Sequence, residues 1–181
     1  MLKIITIADR ESEELKKECL PVIINEENKE RFKQIFSDFI ELLKSIPTAF
    51  GFSANQVGLP LAVIAVNWGK LKGAKEDNFD ILINPTIDKH SDESFHEITE
   101  GCLSVPETFL KTNRYKEITY SYQNLEGERM TKTAVGLESV FIQHEIDHLN
   151  GKLFIDTFPR QVRKEAMKLA ERAKNRKLNK R

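Results

Sequence analysis

His144-Glu145-Ile146-Asp147-His148 places two imidazoles four residues apart with a carboxylate between them. On an α-helix that spacing stacks the two rings on one face, where both reach a single metal ion. Glu145 falls on the adjacent face, positioned to act on water activated by that ion. The chain has only four histidines, and these two occupy positions where a core helix would carry leucine. Two buried imidazoles without a partner are costly, so the pattern argues for a divalent cation. A catalytic site of this kind needs a third protein ligand and one open position. The candidates are Cys102, His90, His96 and the acidic residues. Cys102 sits in Glu100-Gly101-Cys102-Leu103-Ser104-Val105-Pro106, where Gly101 leaves the backbone unobstructed. A lone cysteine is more often a small buried apolar residue, and Cys19 is read that way. The residues alone leave the third ligand open.

The elements that must position these groups are legible in part. Asn25-Glu26-Glu27 reads as a helix cap with acids in the first turn. Phe32, Ile35, Phe36, Phe39, Ile40 and Leu43 share one face, and Pro47 stops the helix, which is predicted over 26–45. Leu61 to Trp68 is a buried strand by length and β-branching, and Gly69 to Asp80 reads as a loop. Asp80 to Pro85 and Lys116 to Tyr122 are further strands. The turn Asn124-Leu125-Glu126-Gly127 joins the latter to Arg129–Thr133 as a hairpin. Gly136 to Leu149 forms the metal-binding helix, with Leu137, Val140, Phe141, His144 and His148 on one face and Gly151 beyond its end. A last helix begins near Pro159, with Val162, Ala166, Leu169, Ala170 and Ala173 as its apolar stripe. Strands without regular βαβ alternation favour an α+β fold over a parallel sheet. The predicted arrangement is antiparallel sheets wrapped around a central helix carrying HExxH, with an N-terminal helix and a C-terminal basic helix.

Composition bounds the rest. With 181 residues, 40% of them hydrophobic and 31% charged, the chain suits one globular domain. No run of 18 apolar residues exists, which excludes a spanning helix, and the first residues lack the apolar core of a signal peptide. Two cysteines imply no disulfide framework, so a cytoplasmic location is expected. The net charge of zero hides an asymmetry: Arg160 to Arg181 carries ten Lys/Arg against two Glu. Residues 1–158 are expected to form the catalytic unit, with 159–181 appended to it as a basic amphipathic helix.

Three separated segments carry a family resemblance. Gly51-Phe52-Ser53-Ala54-Asn55-Gln56, Glu100-Gly101-Cys102-Leu103-Ser104 and Gln143-His144-Glu145-Ile146-Asp147-His148 resemble, in order and spacing, the three motifs of peptide deformylases. The resemblance runs from the N-terminal helix to about Ile155. It implies removal of the formyl group from the N-terminal methionine of nascent polypeptides, releasing formate. It also implies Cys102, His144 and His148 as metal ligands and Glu145 as the catalytic carboxylate. Gln56 and the backbone N–H of Leu103 become oxyanion donors. Phe50, Ile98, Leu137, Val140 and Phe141 line the methionine pocket, and Gly51 lies beside an extended substrate, kept free of a side chain that would block its approach. The implied physiological ion is Fe²⁺, with Zn²⁺, Ni²⁺ or Co²⁺ as substitutes. Two departures stand out. Ala49 replaces a glycine of the first motif, where its methyl could narrow the groove. Phe109 stands where many relatives carry an arginine near the substrate path. Glu100 is expected to hold Arg114 and brace the segment bearing Cys102. The basic tail is expected to meet the ribosome, and the protein to act as a monomer. Competing readings are a protease using the same HExxH chemistry and an inactive, metal-stabilised ribosome-binding homologue. A protease would take a downstream Glu or His as third ligand, but no histidine follows His148.

Overall fold

The computed structural model describes residues 2–179, and the side chains of all of these except His96 and Lys177. The described residues include the α-helices α1 (Lys29–Lys44), α2 (Trp68–Leu71), α3 (Leu137–Leu149) and α4 (Arg160–Leu178). The strands are β1 (Gly51–Ser53), β2 (Val63–Asn67), β3 (Phe79–His90), β4 (Ser94–Cys102), β5 (Val105–Tyr115), β6 (Glu117–Gln123) and β7 (Arg129–Val135). Strands β1-β2-β3-β6-β7 form one sheet in that order, and β4-β5 form a second; every pairing is antiparallel. The mixture of helices with antiparallel sheet agrees with the α+β expectation.

Helix α1 buries Phe36, Phe39 and Leu43 against β2 and β3, as its 3.6-residue period requires. It begins at Lys29 rather than at Glu26, which corrects the predicted start. The Asn25 side chain accepts from the backbone N–H groups of Glu27 and Asn28, and Asn28 reciprocates with the N–H of Asn25. These local bonds hold a turn that competes with helix over the first residues. The predicted loop over 69–80 contains α2, and β3 extends to His90, beyond the predicted end at Pro85.

Helix α3 is buried on almost every side, from Ser139 to Ile146 and again at His148 and Leu149. It touches β1, β3 and β7 of the large sheet and β5 of the small one. A helix enclosed in this way cannot keep a polar face for solvent, so its polar side chains must find partners inside. Gln143 bonds Ser139 and both backbone groups of Tyr115. Asn55 donates to the carbonyl of His148 at 2.6 Å, which ties the first motif to the end of the helix.

Helix α4 places Ala166 and Ala170 in a core shared with Val105, Leu153 and Phe154. Its Lys174 meets Asp9 at 2.9 Å and the Ala8 carbonyl at 3.0 Å, and Arg176 pairs with Glu107 of β5. No described helix is long and apolar enough to cross a membrane.

Candidate metal centre

Strand β4 ends at Cys102, where the pairing with β5 slips: Gly101 faces Phe109, but Cys102 faces Val105. That irregularity turns the thiol toward α3. Its Sγ lies 3.2 Å from Nε2 of His148. The two imidazoles stand one helical turn apart, their centroids separated by 4.9 Å. Ligating atoms of Cys102, His144 and His148 all lie within 4.8 Å of one another. Among the described residues no other His, Cys and carboxylate side chains converge in this way. His90 is elsewhere, stacked on Tyr115 at 3.8 Å. The His96 side chain lies outside the described part. Cys19 is buried, and burial pushes its thiol up to about 11, which suits an inert core residue.

A carboxylate orients one of the imidazoles. Glu100 Oε2 lies 2.7 Å from Nδ1 of His144. With Glu100 ionised, Nδ1 carries a proton and donates to it, which aims Nε2 at the cluster. Arg114 grips Glu100 with Nε at 2.7 Å and Nη2 at 3.0 Å, and reaches Asp147 of α3 through Nη1 at 2.5 Å. Thr112 also donates to Glu100. Burial opposes ionisation of Glu100, but the hydrogen bonds from His144, Arg114 and Thr112 overcome it and hold its pKa at about 2. Burial likewise opposes a cationic His144, yet its bonds with Cys102 and Glu100 prevail and push it up to about 10. The surroundings thus favour positive charge at this point. Burial holds His148 well below its ordinary value, which keeps that imidazole neutral. A thiol, a neutral imidazole and a second imidazole anchored by a carboxylate form a donor set suited to a borderline divalent ion.

Glu145 faces the same space and is 4% exposed. Burial pushes its carboxyl up, while His144 and the Ser53 hydroxyl pull it down. Ser53 Oγ lies 2.5 Å from Glu145 Oε2. Gln56 is fixed at both ends of its amide. Its Oε1 accepts from the Ser53 backbone at 2.9 Å, and its Nε2 donates to Ser104 at 2.9 Å and points at Cys102 Sγ from 3.6 Å. A cavity of about 410 Å³ opens over these groups, and Gln56, Cys102, Leu103, His144 and Glu145 all line it.

A polypeptide deformylase family model matches residues 1–164. The chain belongs to the polypeptide deformylase family. It is a metal-dependent hydrolase that removes the N-terminal formyl group from nascent polypeptides. It is 36% identical to a peptide deformylase of Caulobacter vibrioides over 160 residues, covering 88% of each chain. The crystal structure of a peptide deformylase from Legionella pneumophila superposes with a TM-score of 0.77 at 28% identity, covering 98% of both chains. That of Thermotoga maritima gives 0.73 at 33% identity, over 86% of this chain and 96% of the other.

Phe50, Gly51, Leu137, Val140 and Phe141 line the cavity. Ile98 is half-buried on β4, and its neighbour Thr99 lines the cavity instead. Gly51 is also confined from within the protein. A Cβ there would lie 2.3 Å from the Ala65 carbonyl oxygen and 2.6 Å from the Phe141 ring, both inside the protein. The methyl of Ala49 is buried at 4% exposure in the core beside α1. Three residues important to the geometry escaped sequence reasoning: Ser53, Ser104 and Asp147. Each stood inside a recognised motif, but its partner lies 92, 48 or 33 positions away.

Proposed function

We propose that Cys102, His144 and His148 hold one divalent ion, Fe²⁺ physiologically, and that Glu145 moves the protons of formamide hydrolysis beside it. The observation that carries this reading is the approach of one thiol and two imidazoles to within 4.8 Å, next to a buried carboxylate. Bound there, the ion supplies Lewis acidity toward the attacking water and the formyl oxygen. Glu145 accepts a proton from that water and delivers it to the amine as the C–N bond breaks. Its buried position raises its proton affinity and suits it to both steps. Negative charge grows on the formyl oxygen in the transition state. The Gln56 amide N–H and the Leu103 backbone N–H stabilise it, and losing one such donor costs about 100- to 1,000-fold in turnover. Formate and a free methionine amine leave. The methionine side chain enters the apolar part of the cavity, against Val140 and Phe141. An acetyl group is rejected because its methyl meets the closely packed donor atoms.

The test is anaerobic loading with Fe²⁺ followed by formate release from a formyl-methionyl tripeptide. The acetylated peptide and a Glu145→Gln variant should both be silent. Release by the variant at the parent's rate removes the proposed base. Chelation should abolish turnover, and Fe²⁺ should restore it. Zn²⁺, Ni²⁺ or Co²⁺ fit the same donors and should support differing rates.

We further read the chain as a cytoplasmic monomer whose helix α4 meets ribosomal RNA through its outward basic face. Arg163, Lys164 and Arg172 are exposed there, whereas Lys174 and Arg176 are already engaged within the domain. Reversing Arg163, Lys164 and Arg172 to glutamate should weaken salt-sensitive ribosome association. Unchanged association rejects the docking. Deleting residues 160–181 is a poorer test, because Ala166 and Ala170 belong to the core.

A further inference from the structure

We infer that Phe109 is a specificity-determining residue: an aromatic platform at the mouth of the cavity that selects an apolar side chain among the residues following the formyl-methionine. The inference rests on the deformylase reading and adds a substrate class to it. Phe109 is 72% exposed and lines the cavity. It is the cross-strand partner of Gly101, the residue before Cys102. One edge of its ring lies close over that glycine: a Cβ at position 101 would sit 2.6 Å from Cε1 and 2.8 Å from Cδ1. The missing side chain therefore seats the ring beside the metal ligands.

Two other large apolar side chains are exposed on the same rim, Phe50 at 38% and Leu137 at 48%. Exposed apolar groups gathered around a cavity mark a surface meant to be covered. The charges nearest Phe109 along its strand are neutralised. Glu107 pairs with Arg176, and Lys111 meets Glu97 at 2.9 Å. Among the described residues no Lys or Arg lines the cavity. The rim thus offers contact area without an ionic handle, which suits an apolar or aromatic side chain and gives nothing to an acidic one. The substrate is the occupant that arrives here by necessity. Its methionine fills the interior, so the following residues must cross the rim.

The experiment measures kcat/KM for formate release from formyl-Met-X-Ser and formyl-Met-Ala-X peptides, with X as Phe, Leu, Ser, Asp or Lys. Each ratio between peptides is taken on one iron-loaded preparation, so the fraction of active enzyme cancels. The wild type should favour Phe and Leu over Asp at one of the two positions by about 2- to 12-fold, the range of an added aromatic contact. Phe109→Ala should bring that ratio close to one, chiefly through KM. Phe109→Glu should turn the preference toward Lys. Thermal melting of both variants checks that the domain is folded. Formate release with flat ratios, or ratios that both variants preserve, overturns the inference and leaves the deformylase reading standing. Absence of formate from every peptide overturns both. A dimer of the wild type that Phe109→Ala dissociates would assign the ring to a second copy and also overturn it.

Discussion

Replacing Ser53 with alanine should move the acid limb of the pH–rate profile. The Ser53 hydroxyl has one proton and two acceptors in reach, Glu145 Oε2 at 2.5 Å and the Glu145 carbonyl oxygen at 3.0 Å. The shorter contact is to the potentially charged group, so the proton is assigned to the carboxylate. A hydroxyl donating to an ionised acceptor contributes about 1.5–3 kcal/mol. That interaction exists only when Glu145 is ionised, so it lowers the carboxyl's pKa, in agreement with the direction Ser53 exerts there. Removing it therefore raises the pKa, by taking away a donor that only the ionised form holds. In the proposed role Glu145 acts ionised, so activity of Ser53→Ala should fall away at a higher pH than in the parent. The assay is kcat/KM for formate release across pH 5 to 9 on anaerobically iron-loaded enzyme. Ser53→Thr, which keeps the hydroxyl, should restore the parent limb. Superimposable limbs for Ser53→Ala and the parent would refute the reasoning, as would a lowered plateau with an unmoved limb.

Gly51→Ala should destabilise the domain by at least the 1–3 kcal/mol typical of overpacking, because the nearest obstacle is the backbone carbonyl of Ala65 at 2.3 Å. Urea denaturation measures it, and unchanged stability would show that β1 shifts freely. Glu100 carries the clearest pH linkage. Its folded pKa of about 2 lies below the ordinary carboxyl value of 4.5, so its stabilisation is complete above pH 4.5 and is lost as pH falls toward 2. The full effect is about 3 kcal/mol. Urea midpoints of the parent and Glu100→Gln, compared from pH 7 to pH 3, should converge in acid. A gap that stays constant sinks the assignment.

Sequence reasoning located the helices better than the strands, for a physical reason. Helix α3 is buried on almost every side, so it was found by the glycines at its two ends and by two histidines standing where leucine belonged. Helix α4 kept Ala166, Ala170 and Ala173 on its buried side, as their spacing requires. The β4–β5 hairpin left no such trace. Its outer face carries Glu107, Phe109, Lys111 and Asn113, all exposed, and its inner face carries Thr108, Thr112 and Arg114 with Leu110 as the single apolar member among them. A hairpin whose inward side is mostly polar gives no alternation to read, since its inward groups are satisfied by partners distant in the chain.

The same contrast explains how the site is held. Two of the proposed ligands come from α3 and arrive in register simply because the helix forms. The third comes from the hairpin, whose local sequence specifies no position relative to α3. Something must fix that distance, and the buried chain from His144 through Glu100 and Arg114 to Asp147 does so. It leaves α3 at one ligand and returns to α3 one residue before the other, with β4 and β5 clasped between. Replacing this network with apolar residues could leave the domain folded, since buried ion pairs contribute little net stability. It could not preserve the position of Cys102, because apolar packing lacks the directionality of a bidentate guanidinium. The network is therefore better understood as a device for registering one sulfur against two ring nitrogens than as a source of stability.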